Sequence, residues 1–180
     1  MARKHRRIMD GAICNVLPQN ECTKAGIFSD IVGGARGHMV LVIGEKPNAP
    51  GLWRVATITS TLKDINTNGD YIDNYIPFAP LRKKPFPLQL QLVQDRWSAW
   101  RTEFDKYSYL RIDREFCVGT DALIQVTDDG TGHQWRVKAK SVDKLKSHLS
   151  RRACRSDGGV IGQLDMQQLM EAVGGLSVSR

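Results

Sequence analysis

Three consecutive stretches decide the fold class: Met39-Val40-Leu41-Val42-Ile43, then Lys46-Pro47-Asn48-Ala49-Pro50-Gly51, then Leu52-Trp53-Arg54-Val55-Ala56-Thr57-Ile58-Thr59-Ser60. The first is uniformly apolar, as a short strand covered on both faces is. The second is a turn on composition, because proline presets φ while asparagine and glycine tolerate the conformations a tight reversal needs. The third is rich in β-branched and aromatic side chains, which fit a pleated, half-buried surface. Two such strands with a short turn between them predict an antiparallel hairpin.

Outward from this hairpin the dominant period stays at two, and the segments are short and bounded by turn residues. Residues 12–17 predict a first strand, followed by a long loop through Pro18, Gly26, Gly33, Gly34 and Gly37. Downstream, the polar stretch 61–74 contains the turn cluster Asn66-Thr67-Asn68-Gly69-Asp70, and Tyr75-Ile76-Pro77-Phe78 reads as extended. Prolines at 77, 80, 85 and 87 keep that region out of a central strand or a helix. Leu88, Leu90 and Leu92 alternate with glutamines, the pattern of a half-buried strand or, being brief, of a helix end. Residues 107–112 and 116–118 are further extended pieces, and 124–127 and 134–139 flank Asp128-Asp129-Gly130-Thr131-Gly132, a loop suited to a hairpin.

One core helix is well marked. Ser141 is a candidate N-cap, Asp143 puts negative charge in the first turn, and Arg151, Arg152 and Arg155 put positive charge in the last. Val142, Leu145, His148 and Leu149 form its inward stripe, with His148 a packed or capping side chain. The expected class is mainly β (α+β). Residues 1–8 form a basic arm carrying Arg3, Lys4, Arg6 and Arg7; 9–155 form the core; 156–180 hold the linker Ser156-Asp157-Gly158-Gly159 and a short C-terminal helix over 163–173.

With 180 residues, 41% of them apolar and 25% charged, a packed globular domain is expected, and collagen-like or coiled-coil architectures are excluded. The apolar runs are far shorter than the ~20 residues that cross a bilayer, so a soluble chain without membrane association is expected. No apolar signal stretch follows the basic start, which points to an intracellular, cytoplasmic protein; the basic arm leaves the nucleus open. Cys14, Cys22, Cys117 and Cys154 lie far apart with no C-x-x-C pair, and His5, His38, His133 and His148 are scattered. Neither a metal site nor a disulfide framework is predicted, and no cofactor is implied. There is no GxxxxGK[ST] loop, dinucleotide fingerprint or GxSxG elbow.

The order of these elements resembles that of the PemK/MazF-like toxin family. The stretches that carry the resemblance are His38-Met39-Val40-Leu41-Val42-Ile43, Val55-Ala56-Thr57-Ile58-Thr59-Ser60 and Ser108-Tyr109-Leu110-Arg111-Ile112-Asp113. The match spans roughly residues 11–149, with insertions. It implies a small SH3-like β-barrel, a helix after it, and metal-independent cleavage of single-stranded RNA. In the family an arginine opens the apolar strand and meets a hydroxyl from the end of the next strand at the scissile phosphate. Here Thr59 keeps the hydroxyl, but the arginine falls on His38 and its following proline on Met39. The resemblance also implies a homodimer and leaves room for a protein inhibitor.

The residues can be asked about that chemistry directly. Cleaving RNA through its own 2′-hydroxyl needs a base, an acid and donors that stabilise charge on phosphorus. Imidazole suits the first two tasks, which makes His38 a candidate. Arg36 can supply charge from a glycine-containing loop whose N–H groups can approach a phosphate, and Thr59 and Ser60 can supply hydroxyls. The alternative for His38 is a satisfied loop residue, and for Thr59-Ser60 an ordinary strand end.

The net charge of +7, from 26 Lys+Arg and 19 Asp+Glu, favours an anionic partner. Arg82, Lys83 and Lys84, with Lys138 and Lys140, are the candidate nucleic-acid contacts, and binding through them should weaken steeply with salt. Trp97 and Trp100, flanked by Arg96 and Arg101, either stack bases or cover the barrel at helical spacing with Phe104. Two functions are therefore carried forward: an RNA-binding endoribonuclease acting around His38, Arg36, Thr59 and Ser60, and a noncatalytic barrel that binds nucleic acid or a protein segment.

Overall fold

The structure is a computed structural model and describes residues 8–62, 74–80, 88–94, 104, 106–128 and 131–153. The elements are β1 (Ile13–Val16), α1 (Gln19–Ala25), α2 (Gly33–Arg36), β2 (Val40–Glu45), β3 (Leu52–Thr59), β4 (Tyr75–Pro77), β5 (Tyr109–Arg111), β6 (Phe116–Gly119) and β7 (Leu123–Gln125), with a 3₁₀ turn at Thr120–Ala122. A further helix, α3, covers residues 139–153. The class is α+β. Among the described residues, seven antiparallel strands make one sheet in the order β4-β5-β3-β2-β1-β7, with β6 also paired to β3.

The hairpin is β2 and β3. Val40 faces Thr57, Leu41 faces Ala56 and Val42 faces Val55, and the register shifts at a bulge between Val42 and Gly44. The turn closes with the Lys46 N–H donating to the Leu52 carbonyl at 2.7 Å, and Asn48 (φ 61°) and Gly51 (φ 79°) take the left-handed conformations its reversal needs. Both faces of β2 are covered, since Val40, Leu41, Val42 and Ile43 are all buried, which is why the stretch has no polar alternation. One face carries Val40, Val42 and Val55 into a cluster with Ala12, Cys14, Val16, Phe116 and Val118. The register puts Ile13, Leu41 and Ala56 on the other face, and all three are buried too.

Two helices lie where the sequence predicts a long loop. Pro18 precedes α1, and Gly26, at φ 65°, ends it in the left-handed conformation. This is the proline-first, glycine-last pairing that favours a helix. The glycines at 33 and 34 lie within α2. Helix α3 begins at 139, ahead of the expected cap at Ser141. Ser141 instead accepts a hydrogen bond on its hydroxyl from the Gln91 N–H at 3.3 Å.

The feature that positions the site is a change of partner along one edge of β3. Residues 52–55 pair with β6 and residues 58–59 with β5. Because β5 and β6 are consecutive, the connection Ile112-Asp113-Arg114-Glu115 crosses the break between them. Beyond β5 lies β4, at the end of the strand order, which is where a strand containing Pro77 can sit. Single bridges continue the pairing from Phe78 to Leu90, from Leu92 to Val137, and from Arg136 to Ala12 beside β1. By backbone contacts the chain divides into Met1–Lys144 and Leu145–Arg180, the division falling inside α3. The linker boundary expected at 156 and the helix expected over 163–173 lie outside the described residues, as does most of the basic arm at 1–8. Among the described residues no helix is long and apolar enough to cross a membrane.

Candidate functional site

Side chains on adjacent antiparallel strands share a face when their residues are directly paired. Thr59 pairs with Tyr109, and Arg111, two residues along β5, pairs with Tyr75 of β4. One face of β3, β5 and β4 therefore carries Thr57, Thr59, Arg111 and Tyr75. A cavity of about 400 Å³ opens on that face, and all four residues line it. Arg114 and Phe116 close the side where β5 gives way to β6, while Val32, Gly34, Ala35 and His38 close the side formed by α2 and its flanks.

His38 and Thr59 therefore border the same cavity. His38 is exposed just after α2, and its N–H donates to the Ala35 carbonyl at 3.2 Å, fixing the end of that helix at the cavity's edge. The Thr59 hydroxyl donates to the Thr61 carbonyl at 3.1 Å and accepts from the Thr61 N–H at 3.1 Å. Its proton is committed locally, and one lone pair remains. Ser60 is exposed and does not line the cavity.

Arg36 has a different task from the expected one. Its Nε donates to the Ile31 carbonyl at 3.0 Å, Nη1 to the Leu17 carbonyl at 2.8 Å and Nη2 to the Ser29 hydroxyl at 3.0 Å. The guanidinium ties the end of β1 to the segment before α2, and it is not among the cavity's lining residues. Among the described residues, the Lys and Arg side chains at the cavity are those of Arg111 and Arg114. Arg111 forms a bidentate pair with Asp113, at 2.7 and 2.6 Å, which offsets part of its charge. Arg114 lies over the Phe116 ring at 5.0 Å and has no carboxylate partner among the described residues. The neighbouring carboxylate, Glu115, is engaged by Arg54 at 2.8 and 3.1 Å.

Lys138 and Lys140 lie elsewhere. The Lys138 N–H and Nζ donate to the carbonyl and the side-chain Oε1 of Gln91, and neither lysine lines the cavity. Arg82, Lys83, Lys84, Arg96, Trp97, Trp100 and Arg101 fall outside the described residues. Among the described residues no group of three or more His, Cys, Asp or Glu side chains is placed to hold a metal ion. Cys14 is fully buried, and burial pushes its thiol pKa up to about 12, which makes it a core residue without nucleophilic character.

The residues missed in sequence are Thr57, Tyr75, Arg111 and Arg114. The alternation of Thr57, Thr59 and Thr61 was a visible signal, since period two puts 57 and 59 on one face. Arg111 and Arg114 gave no comparable signal, because their place depends on pairing between β3 and β5, some fifty residues apart.

Together the lining groups offer an imidazole, two guanidinium groups, several hydroxyls and an apolar wall of Val32, Ala35 and Phe116. That set suits a phosphate joined to a less polar group. Compared with known proteins, the chain matches no family model, no curated protein and no solved structure.

Proposed function

We propose that the chain is an intracellular protein that binds single-stranded RNA and cleaves it without a metal, on an SH3-like barrel of the PemK/MazF kind. The single observation that carries this reading is the shared cavity: His38 and Thr59, from separate elements, border one space together with Arg111 and Arg114. The bridges from Phe78 through Leu90, Leu92 and Val137 to Ala12 support the barrel, because they continue the pairing from β4 back towards β1.

In the reaction, His38 takes the proton of the 2′-hydroxyl as that oxygen bonds to phosphorus. The bond from phosphorus to the 5′ oxygen breaks, and the leaving oxygen takes a proton from water at the open mouth. The products are a 2′,3′-cyclic phosphate and a 5′-hydroxyl, and His38 returns its proton to solvent. Arg114 and Arg111 stabilise the charge that grows on the phosphoryl oxygens. Arg36 has no part in this step, since its donors hold backbone carbonyls and a serine hydroxyl.

A second reading, a noncatalytic barrel that binds RNA or a protein segment, is favoured by one observation. The Thr59 hydroxyl already donates to the Thr61 carbonyl, so it cannot donate to a phosphate without breaking that bond. Incubating the full chain with labelled single-stranded RNA in EDTA separates the two. Cyclic-phosphate products that fall by ~10²–10⁴-fold in His38→Ala support the nuclease. RNA retained but uncut supports the noncatalytic module, and no binding removes both RNA readings. A homodimer and an inhibitory protein belong to the same proposal; light scattering at 20 kDa would remove the dimer.

A further inference from the structure

The face of β5 that borders the cavity extends past it along the strand. Tyr109 pairs with Thr59 on one side and Pro77 on the other, and Arg111 pairs with Tyr75. Tyr109 therefore shares the face that carries Thr59, Arg111 and Tyr75 at the cavity. The alternation persists before the strand begins: Tyr107 is exposed, Ser108 buried, Tyr109 half-buried and Leu110 buried. Tyr107 is 69% exposed, the most exposed of the large apolar side chains at the described surface. The Phe78 N–H donates to the Ser108 carbonyl at 2.9 Å, so backbone pairing with the β4 side reaches the residue next to Tyr107.

Arg111, Tyr109 and Tyr107 thus follow one another at two-residue steps, each about 6.6 Å long in extended chain. That step is close to the spacing of successive nucleotides in an extended single strand. Aromatic rings beside cations are what unpaired bases stack on, because every base has a π-face while its backbone needs positive charge. The charge fits such an occupant. Arg114 lacks a carboxylate partner among the described residues, and Lys106 adjoins Tyr107 in a chain of net charge +7.

We propose that Tyr107 and Tyr109 form a stacking subsite for unpaired nucleobases next to the phosphate held at the cavity. The subsite rests on the cavity binding RNA phosphate, and its test is arranged so that the two can fail separately. The probes are a ten-nucleotide oligouridylate and an oligomer of ten abasic ribose phosphates, each titrated by fluorescence anisotropy in EDTA against the full chain carrying His38→Ala, so that no turnover intervenes. Tyr107→Ala should weaken oligouridylate binding about five- to a hundredfold and leave the abasic oligomer's affinity unchanged. Tyr107→Phe, which keeps the ring, should bind oligouridylate within about twofold of the parent.

Equal affinities of the parent and Tyr107→Ala for oligouridylate, with RNA still cut by the wild type, would overturn the subsite and leave the cavity reading standing. Failure of the wild-type chain to bind either oligomer would overturn both. If Tyr107→Ala converted a dimer into a monomer by light scattering while RNA affinity held, the tyrosine would belong to a protein interface and the subsite would likewise fall. Tyr107 is exposed, so its alanine variant should fold, and an unchanged melting temperature checks this.

Discussion

Val55 and Thr57 are two residues apart on the same face of β3, yet one lies in a dry cluster and the other borders a cavity. Val55 is 0% exposed among Val42, Cys14 and Phe116, whereas Thr57, at 6%, is nearly as buried but lines the open space beside Arg111 and His38. Burial alone does not distinguish the two ends. What does is the partner along the strand's edge: β6 covers residues 52–55, and the break before β5 leaves room opposite residue 57. The site is therefore a place where the sheet changes partner, and its polar side chains are the ones that the core face would otherwise fill with valines.

Phe116 belongs to both ends, so its removal should have the largest effect. It pairs with Val55, sits in the apolar cluster, lines the cavity and carries Arg114 on its ring. Phe116→Ala should cost ~3–5 kcal/mol in urea unfolding, as large-to-small core changes do. If the cavity binds RNA as proposed, the change should also weaken that binding by freeing Arg114. A loss of affinity without a loss of stability would mean that Phe116 belongs to the cavity alone.

A reciprocal exchange sharpens the contrast. Val55→Thr places a hydroxyl in the dry end without a partner and should cost ~1–3 kcal/mol. Thr57→Val removes a hydroxyl facing open space and should change stability by less than ~0.5 kcal/mol, while RNA affinity falls several-fold. Equal stability costs for the two would remove the distinction between the ends.

The dry end also has a signature in pH. Cys14 is raised from an ordinary 9.0 to about 12 by burial. Above pH ~9 the unfolded thiol ionises while the folded one stays protonated, so rising pH favours the unfolded chain. The contribution is fully present below the unfolded value and declines between it and about 12, at ~1.4 kcal/mol per pH unit. Comparing unfolding free energies from urea titrations at pH ~8.5 and ~10.5 should show a drop in the wild type about 2 kcal/mol larger than in Cys14→Ala. Identical drops would show that Cys14 is reached by solvent.

The hairpin was legible because its information is local. An apolar run, a turn with proline and glycine, and a β-branched return leave little else for residues 39–60 to do. The α1 helix has no such local mark for a physical reason: in Gln-Asn-Glu-Cys-Thr-Lys-Ala only Cys22 is buried, so no apolar stripe signals it. Its bounding Pro18 and Gly26 were visible, but they also read as loop punctuation. At the candidate site, His38 and Thr59 were legible as residue types at the ends of adjoining elements. Arg111 and Arg114 were not, because the split of one strand's edge between β5 and β6 is a long-range pairing that no local period records.

Arg36 gives the smallest and sharpest test of how far residue type alone can be trusted. It and Arg114 are both arginines near α2 and the cavity, but Arg36 spends its planar fork on three neutral acceptors at 2.8–3.0 Å, whereas Arg114 lies over an aromatic ring at the cavity wall. A lysine keeps the charge and loses the fork. Arg36→Lys should therefore lower stability by ~1–2 kcal/mol through unsatisfied acceptors, with no change in the salt slope of RNA binding, since no phosphate contact is lost. Arg114→Lys should do the reverse, leaving the unfolding midpoint nearly fixed while weakening RNA binding. If Arg36→Lys left stability intact and weakened RNA binding, Arg36 would be contributing through its fork and would have to reach RNA from a position different from the one its hydrogen bonds define.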